Sequence, residues 1–549
     1  MERRFIIAVV LMGLVMVGWV ILQAKLAPPK RRGIAPEKRE ERVQEVKPVQ
    51  ISKPKMRREK IVTVETDLYE ARFDAEDAVA VGWKLKRYLK KHVEPPEPID
   101  LIPFTAIYCL QLDFDDPELQ WALAEAKWEA DKGKLVLTKE NPKGTITFRT
   151  RLGQLLVQKR LTFYNGSYVV DMDLVFKNLS SQPHPNLADG YRLRWGPGIT
   201  TDSKKPVRRY GPCAMTVRGQ IKRKWKEKDE GEEVLWVALN SRYFAAAIIP
   251  DQDLKATFRI AEVSTGEGTV PTYVESPQKM VELIVPGAGL PPNGERVDRF
   301  RVYVGPKVNS ILKQVEAPGN PIYKIRLNQL INYGFFGWLS RIMLGLMVAF
   351  HKLTGNYGIA IILLTILIKI VFHPLTVKSL KSTKRMQELQ PEIAKLRERY
   401  RDDPQRLNQA IMKLYKEHGV NPMSGCWPLL LQLPIFWALF TTLRESIELR
   451  GAKFIWWIKD LSEPDTVWTL PWLGIPLRIL PILMGISMFY QQRISGTGAD
   501  AGGGMRLMKY LPLIFTFFFY GFPSGLVLYW LCNNLLTIAQ QYAMNRWIR

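Results

Sequence analysis

The stretch GIAIILLTILIKIVFHP, residues 358–374, places a lysine inside a hydrophobic run. About twenty residues around it are otherwise compatible with lipid, enough for one helical crossing of a bilayer. A charge near the middle of such a crossing costs about 2.5–3.5 kcal/mol on insertion scales. Lys369 must therefore face something other than lipid, and the rest of the chain has to supply it.

Working outward, 356–376 is the first of five candidate spans, followed by 427–446, 475–493, 508–521 and 524–545. The span at 508–521 is short for a bilayer, and short spans thin the membrane or pack inside a bundle. Residues 333–355, YGFFGWLSRIMLGLMVAFHKLTG, mix apolar bulk with Trp338, Arg341, His351 and Lys352. That mixture suits a helix lying at the interface. At the other end, FIIAVVLMGLVMVGWVIL (5–22) is apolar, uncharged and long enough to span. No A-x-A site follows it, so it reads as an uncleaved signal anchor with its N-terminus inside. Residues 23–60, rich in Lys, Arg, Glu and Pro, have the composition of a flexible charged linker.

Between the anchor and the spans, residues 61–318 switch to period two. TITFRTRL (145–152), LLVQKRLTFY (155–164), SYVVDMDLVF (167–176), KMVELIVP (279–286) and DRFRVYVG (298–305) alternate apolar and polar residues. Asn165-Gly166 separates two of these runs and predicts a hairpin, and PKG (142–144) and NGE (293–295) predict further turns. Many short strands with turn punctuation predict an all-β antiparallel sandwich forming one domain. The fold class is thus a multi-domain membrane protein: an N-terminal anchor (1–22), a linker (23–60), an all-β domain (61–318), a linker with an interfacial helix (319–353), and a five-span α-helical bundle (354–549).

The net charge of +25 over 549 residues suggests anionic partners. No zinc-finger spacing, phosphate-binding loop or aromatic RNA-binding motif supports a specific nucleic-acid partner. Cys109, Cys213, Cys426 and Cys532 form no C-x-x-C pair, so neither a metal site nor a redox motif is indicated. Cys109 and Cys213 are either paired, if their domain lies outside the cytoplasm, or free buried thiols.

Alternation of the spans puts the β domain and 447–474 outside, and 377–426, 494–507 and the C-terminus inside. The charges agree with the positive-inside rule: Lys378, Lys381, Lys384, Arg385, Lys395, Arg397, Arg399, Arg401, Arg406, Lys413 and Lys416 fall in 377–426. Segment 447–474 carries Trp456, Trp457, Trp468 and Trp472 as interfacial anchors. Within 377–426, Met386, Leu389, Ile393, Leu396 and Tyr400 recur at helical spacing, and Asp403-Pro404 reads as a cap opening a second helix that Gly419 can end. This helical hairpin is either a docking arm or a solvated connector.

At 1.5 Å per residue, Lys369, Gln432 and Gln541 fall at about the same depth in the inner half of the membrane. Trp530, Asn534, Thr537 and Gln541 follow i, i+4, i+7, i+11, one helical face, while Thr365, Lys369 and His373 sit four apart. Such residues either line a wet cavity open to the cytoplasm or act as hydrogen-bonding glue between helices. The span interiors offer no Asp or Glu to pair with Lys369, which favours the hydrated recess.

GNYGIAIILLTILIKIVFHPLT (355–376), LQPEIAKLRERY (389–400), DDPQRLNQAIMKLYKEHGVNPMSGCWPLLLQLPIFWALF (402–440) and FPSGLVLYW (522–530) resemble the YidC/Oxa/Alb family of membrane protein insertases. The resemblance is dense over 320–549, and the anchor with a large outer β domain resembles the Gram-negative type. It implies a periplasmic super-sandwich without catalysis, residence in the bacterial inner membrane with both termini cytoplasmic, and no enzymatic activity, cofactor or metal. It also implies insertion of nascent membrane proteins, alone or with the Sec translocon, and ribosome contact through cytoplasmic loops. Thr365, Gln432 and Trp530 match groove or substrate-contact positions of the family. At Lys369 the family usually has arginine; the charge is kept but the bidentate fork is lost.

A transporter or channel would also account for an intramembrane lysine, although missing acidic residues and missing inverted repeats speak against it. A carbohydrate enzyme on the β domain would need paired carboxylates, and none is evident.

Overall fold

The computed structural model describes residues 60–91, 95–103, 109–201, 210–223, 231–262, 274–275, 279–319, 324–401, 403–420, 427–469, 476–494 and 506–547. The expected signal anchor (1–22), nearly all of the linker (23–60), Cys426 and Trp472 lie outside them. The chain divides into two compact units, one built on Ser52–Asn332 and the other on Tyr333–Arg444 with Glu448–Arg549.

In the β unit the alternating runs become long antiparallel strands. Lys143–Leu152, Leu155–Tyr164, Val169–Asn178 and Glu295–Pro306 are consecutive or near neighbours in a nine-stranded sheet. Gly166, at φ 77, makes the predicted Asn-Gly turn between two of them. The turn expected at PKG is shifted, because Lys143 and Gly144 already pair with Tyr164 and Phe163. Two smaller sheets cover one face of the large one. Phe73 of the five-stranded sheet meets Phe148 and Phe163, and Phe114 of the four-stranded sheet meets Phe176. The sandwich is not wholly antiparallel: Ile61–Glu65 pairs in parallel with Lys134–Val136.

One buried cluster of charges in this unit is paired, as burial favours. Arg194 sits between Asp113 at 3.1 Å and Glu282 at 2.8 Å, and Arg259 reaches the other Glu282 oxygen at 2.9 Å. Cys109 and Cys213 are both free and buried, so the disulfide alternative falls away, and burial pushes the Cys109 thiol up to about 12. A short helix α1 (Pro117–Glu125), capped by Asp116, and a helical turn α2 (Asn309–Lys313) complete the unit.

The helical unit begins with α3 (Gly337–Thr354), which buries Met343, Leu344 and Met347 and exposes Trp338, an amphipathic arrangement. Gly355, at φ 69, ends it, and Asn356 caps α4 (Tyr357–Val371) by accepting from Gly358 N–H at 2.8 Å. The expected span 356–376 is not one straight helix. Pro374 cannot donate into a continuing ladder, and the axis bends by 63° between α4 and α5 (His373–Glu388). α6 (Gln390–Arg399) and α7 (Pro404–Glu417) then form the hairpin around Leu389, Ile393, Ile411, Leu414 and Val420. Asp403 caps α7 as its sequence suggests, accepting from Gln405 and Arg406 N–H.

α8 (Trp427–Glu445), α9 (Ile479–Ile494), α10 (Arg506–Phe519) and α11 (Ser524–Trp547) correspond to the remaining four apolar runs. Among the described residues no single helix is long and apolar enough to cross a membrane by itself; α4 with His373–Met386 meets both conditions as a bent pair. At 1.5 Å per residue, α10 reaches only about 21 Å. Asp465 caps α9 by accepting from Leu480 N–H at 2.8 Å. Ser340 Oγ donates to the Ala438 carbonyl at 3.0 Å and ties α3 to α8.

Candidate functional site

α11 is a polar hub. Along about 18 Å of its length, from Tyr529 to Gln541, it makes hydrogen bonds to four different helices, the weakest between Gln540 and His373 of α5 at 3.5 Å. Lys369 Nζ of α4 donates to Thr537 Oγ1 at 2.6 Å, and that hydroxyl donates to the Asn533 carbonyl at 2.7 Å. Asn534 Nδ2 donates to Ser487 Oγ of α9 at 3.1 Å, and Ser487 donates onward to the Met484 carbonyl. Gln432 Nε2 of α8 donates to the Tyr529 hydroxyl.

The seven sequence-derived positions are therefore only partly brought together. Lys369 and Thr537 meet directly. Gln432 does not share their layer: its partner Tyr529 lies about 12 Å from Thr537 along α11, toward the opposite end. Counting along the apolar run to 376 misses this because α4 ends at Val371, which leaves Lys369 only about 3 Å from its helix end while Gln432 lies about 7.5 Å into α8. Asn534 is buried on Ser487, and Gln541 is buried one turn beyond Thr537. Trp530 belongs to an aromatic cluster, with ring centroids 5.4 Å from Phe436 and 5.2 Å from Phe519. Thr365 is fully buried and its hydroxyl is used within its own helix, donating to the Ile361 carbonyl at 2.7 Å.

Two partners escaped sequence reading. Ser487 is a lone hydroxyl in an apolar run, and Tyr529 precedes the more conspicuous Trp530. Their signal was the matching of isolated polar residues across helices, which needs the packing to be known.

Lys369 is half-buried and forms no ion pair among the described residues. Its neighbours Ile366, Ile370 and Val371 are exposed, as are Leu433 and Trp437 on α8 and Phe517 on α10. Among the described residues this cation is bound to a hydroxyl, and it sits on a helix whose Ile366, Ile370 and Val371 are left exposed. A primary ammonium has three N–H donors, so a single hydroxyl leaves it free to attract an anionic group. No metal-ligating cluster of His, Cys, Asp and Glu occurs among the described residues.

Residues 349–549 match the family model described as 60Kd inner membrane protein, and residues 61–346 match the YidC periplasmic domain. The chain is 33% identical, over an alignment 572 positions long, to the membrane protein insertase YidC of Geotalea uraniireducens (strain Rf4), covering 100% of this chain and 99% of that protein. It is 34% identical over 497 residues to the same-named protein of Syntrophus aciditrophicus (strain SB), covering 89% and 85%. A crystal structure of active YidC insertase with its first transmembrane domain resolved aligns over 88% of this chain and 92% of the other, with 20% identity and a TM-score of 0.38.

Proposed function

This chain belongs to the YidC family of membrane protein insertases, and we propose that it inserts its substrates through a positively charged recess at Lys369 and Thr537 that opens to the cytoplasm. The family comprises insertases rather than enzymes, and the chain is an inner-membrane protein with a periplasmic domain. The observation that carries the reading is the half-buried Lys369, bound to Thr537 and to no carboxylate among the described residues.

The physical task is to move a polar segment across a low-dielectric layer, and no covalent chemistry is needed. Water in the recess shortens the apolar distance that the segment must cross. Lys369 attracts acidic side chains into that water and lowers their desolvation cost. The exposed faces around Ile370, Trp437 and Phe517 let the apolar part of the substrate leave into lipid. Lysine presents a compact charge, not a planar fork, so its attraction to carboxylates is less directional than arginine's.

In this proposal the bundle has five spans behind an N-terminal anchor, with both termini cytoplasmic. Nascent chains arrive from the ribosome or the Sec translocon at the cytoplasmic hairpin. Support for the hairpin as a docking arm is its own small core and its exposed Lys381, Lys395, Arg399, Arg406 and Lys413.

Single cysteines at 369, 432 and 541 in a variant lacking native cysteines test the recess. A membrane-impermeant thiol reagent should label 369 from the cytoplasmic side only, and 432 less, because Gln432 lies deeper. Labelling of 369 from both sides would overturn the reading in favour of a transporter or channel. No labelling in folded protein would reduce the polar residues to interhelical glue.

A further inference from the structure

Lys159 lies at the centre of the β unit. It occupies the strand Leu155–Tyr164, on the same face as Leu155, Val157, Leu161 and Phe163, and is 1% exposed. A lysine on a core-facing position needs partners for its N–H groups. Lys159 Nζ donates to the Ala78 carbonyl at 2.8 Å and to the Leu110 carbonyl at 2.7 Å. The Trp128 ring lies beneath it, 5.3 Å from Nζ to centroid. Asp113 and Asp77 add electrostatic attraction.

The two carbonyls come from unusual places. Ala78 and Leu110 are non-glycine residues at φ 52 and φ 62, the left-handed region that L side chains rarely adopt. Ala78 is in the corner between Tyr69–Asp74 and Ala80–Leu89 of the five-stranded sheet, and Leu110 immediately precedes Gln111–Phe114 of the four-stranded sheet. The corners are themselves joined, since Ala80 N–H donates to the Cys109 carbonyl at 2.8 Å. One amine on the nine-stranded sheet thus holds a corner of each smaller sheet. The insertase reading makes no use of this group.

We propose that Lys159 is an internal ligand: the three sheets close around a preformed primary-amine site, and the lysine that fills it holds the corners at Ala78 and Leu110 in place. The site has the chemistry of a small alkylammonium receptor, with two carbonyl acceptors, an aromatic face and nearby carboxylates. A neutral amine keeps two N–H groups and an ammonium keeps three, so both carbonyls stay bonded in either form.

The full-length protein in detergent gives the test, read by hydrogen exchange of backbone amides. In Lys159→Met, which fills the volume without N–H groups, exchange at Ala80 and Leu110 should rise at least tenfold, while the paired amides of Val169–Asn178 keep wild-type rates. Lys159→Ala removes a fragment the size of n-propylamine. Adding n-propylammonium chloride to it should restore slow exchange, and tetramethylammonium chloride, which has no N–H, should not. Wild-type exchange at both corners in Lys159→Met would overturn the proposal, as would equal rescue by the two salts.

Discussion

Lys369 and Thr537 are bonded across α4 and α11 at 2.6 Å, and Thr537 spends its own proton on the Asn533 carbonyl. The hydroxyl therefore accepts from the lysine through a lone pair whose direction is fixed by α11. This holds the charge at one azimuth without neutralising it. Lys369→Arg should retain insertion of all substrates. Lys369→Ala should slow insertion of substrates with acidic translocated segments several-fold and leave neutral ones nearly unchanged. Equal insertion of both classes by Lys369→Ala, followed by protease protection in vesicles, would remove the electrostatic role.

Thr537→Val tests the holding role separately. Hydrogen bonds between helices in membranes are worth about 0.6 kcal/mol on average, so the variant should fold. It should shift insertion of acidic substrates less than Lys369→Ala does, because the charge remains and only its position is released.

Gly358 marks a close approach in the helical unit. A Cβ there would overlap the Phe454 ring, and Phe454 is fixed by its carbonyl, which accepts from Asn356 Nδ2 at 3.1 Å. Gly358→Ala should destabilise the unit by about 1–3 kcal/mol, the usual range for overpacking. Gly345→Ala is the control, since nothing lies within 4 Å of its would-be Cβ. It should stabilise α3 by about 0.5–1 kcal/mol through helix propensity alone. Thermal unfolding in detergent separates the two signs.

These residues also show what the sequence could and could not reveal. Asp403-Pro404 and Asn165-Gly166 act within a few residues of themselves, so their roles could be read locally. The break at Phe372 is masked by the apolar run that continues through it, although Pro374 marks its place. Counting residues sets Gln432 level with Lys369 because it takes the whole apolar run as one helix, whereas α4 stops at Val371. The division of the β unit into five-, nine- and four-stranded sheets rests on long-range pairing that alternation does not encode. Lys159 was visible in LLVQKRLTFY as a cation on the apolar parity, but its function depends on corners about fifty and eighty residues away in the chain.

Asp403 supplies a prediction for the hairpin. Its carboxylate accepts from two N–H groups of α7 and pairs with Arg406 at 3.3 Å. Asp403→Ala should cost about 1 kcal/mol, as lost N-caps do, and speed hydrogen exchange at 405–408. Ile393→Ala removes a core side chain instead and should cost about 2–5 kcal/mol. If the hairpin is a docking arm, the second variant should lose insertion more severely than the first, in the same order as their hydrogen-exchange protection.

Lys159 makes the stability of the β unit depend on pH in a direction opposite to that of a surface lysine. Burial lowers its pKa from 10.5 to about 7, against the opposing pull of Asp113 and Asp77. Asp113 is itself neutralised in part by Arg194 and Arg192, and burial holds its own carboxyl above the usual range. The unfolded chain keeps the lysine proton until about pH 10.5, whereas the folded chain releases it near 7. Between those values the unfolded state binds the extra proton, so raising the pH favours the fold. The stabilisation is fully present only above the unfolded value and is lost as the pH falls through about 7. Lys159→Met has no such proton, so the stability difference between wild type and variant isolates the effect from every other titrating group. From pH 7 to 9 that difference should move in favour of wild type, with a slope approaching about 1.4 kcal/mol per pH unit. Denaturant unfolding of the full chain at three pH values measures it, and a difference that stays flat would mean that the amine remains fully charged inside its cage of two carbonyls and Trp128.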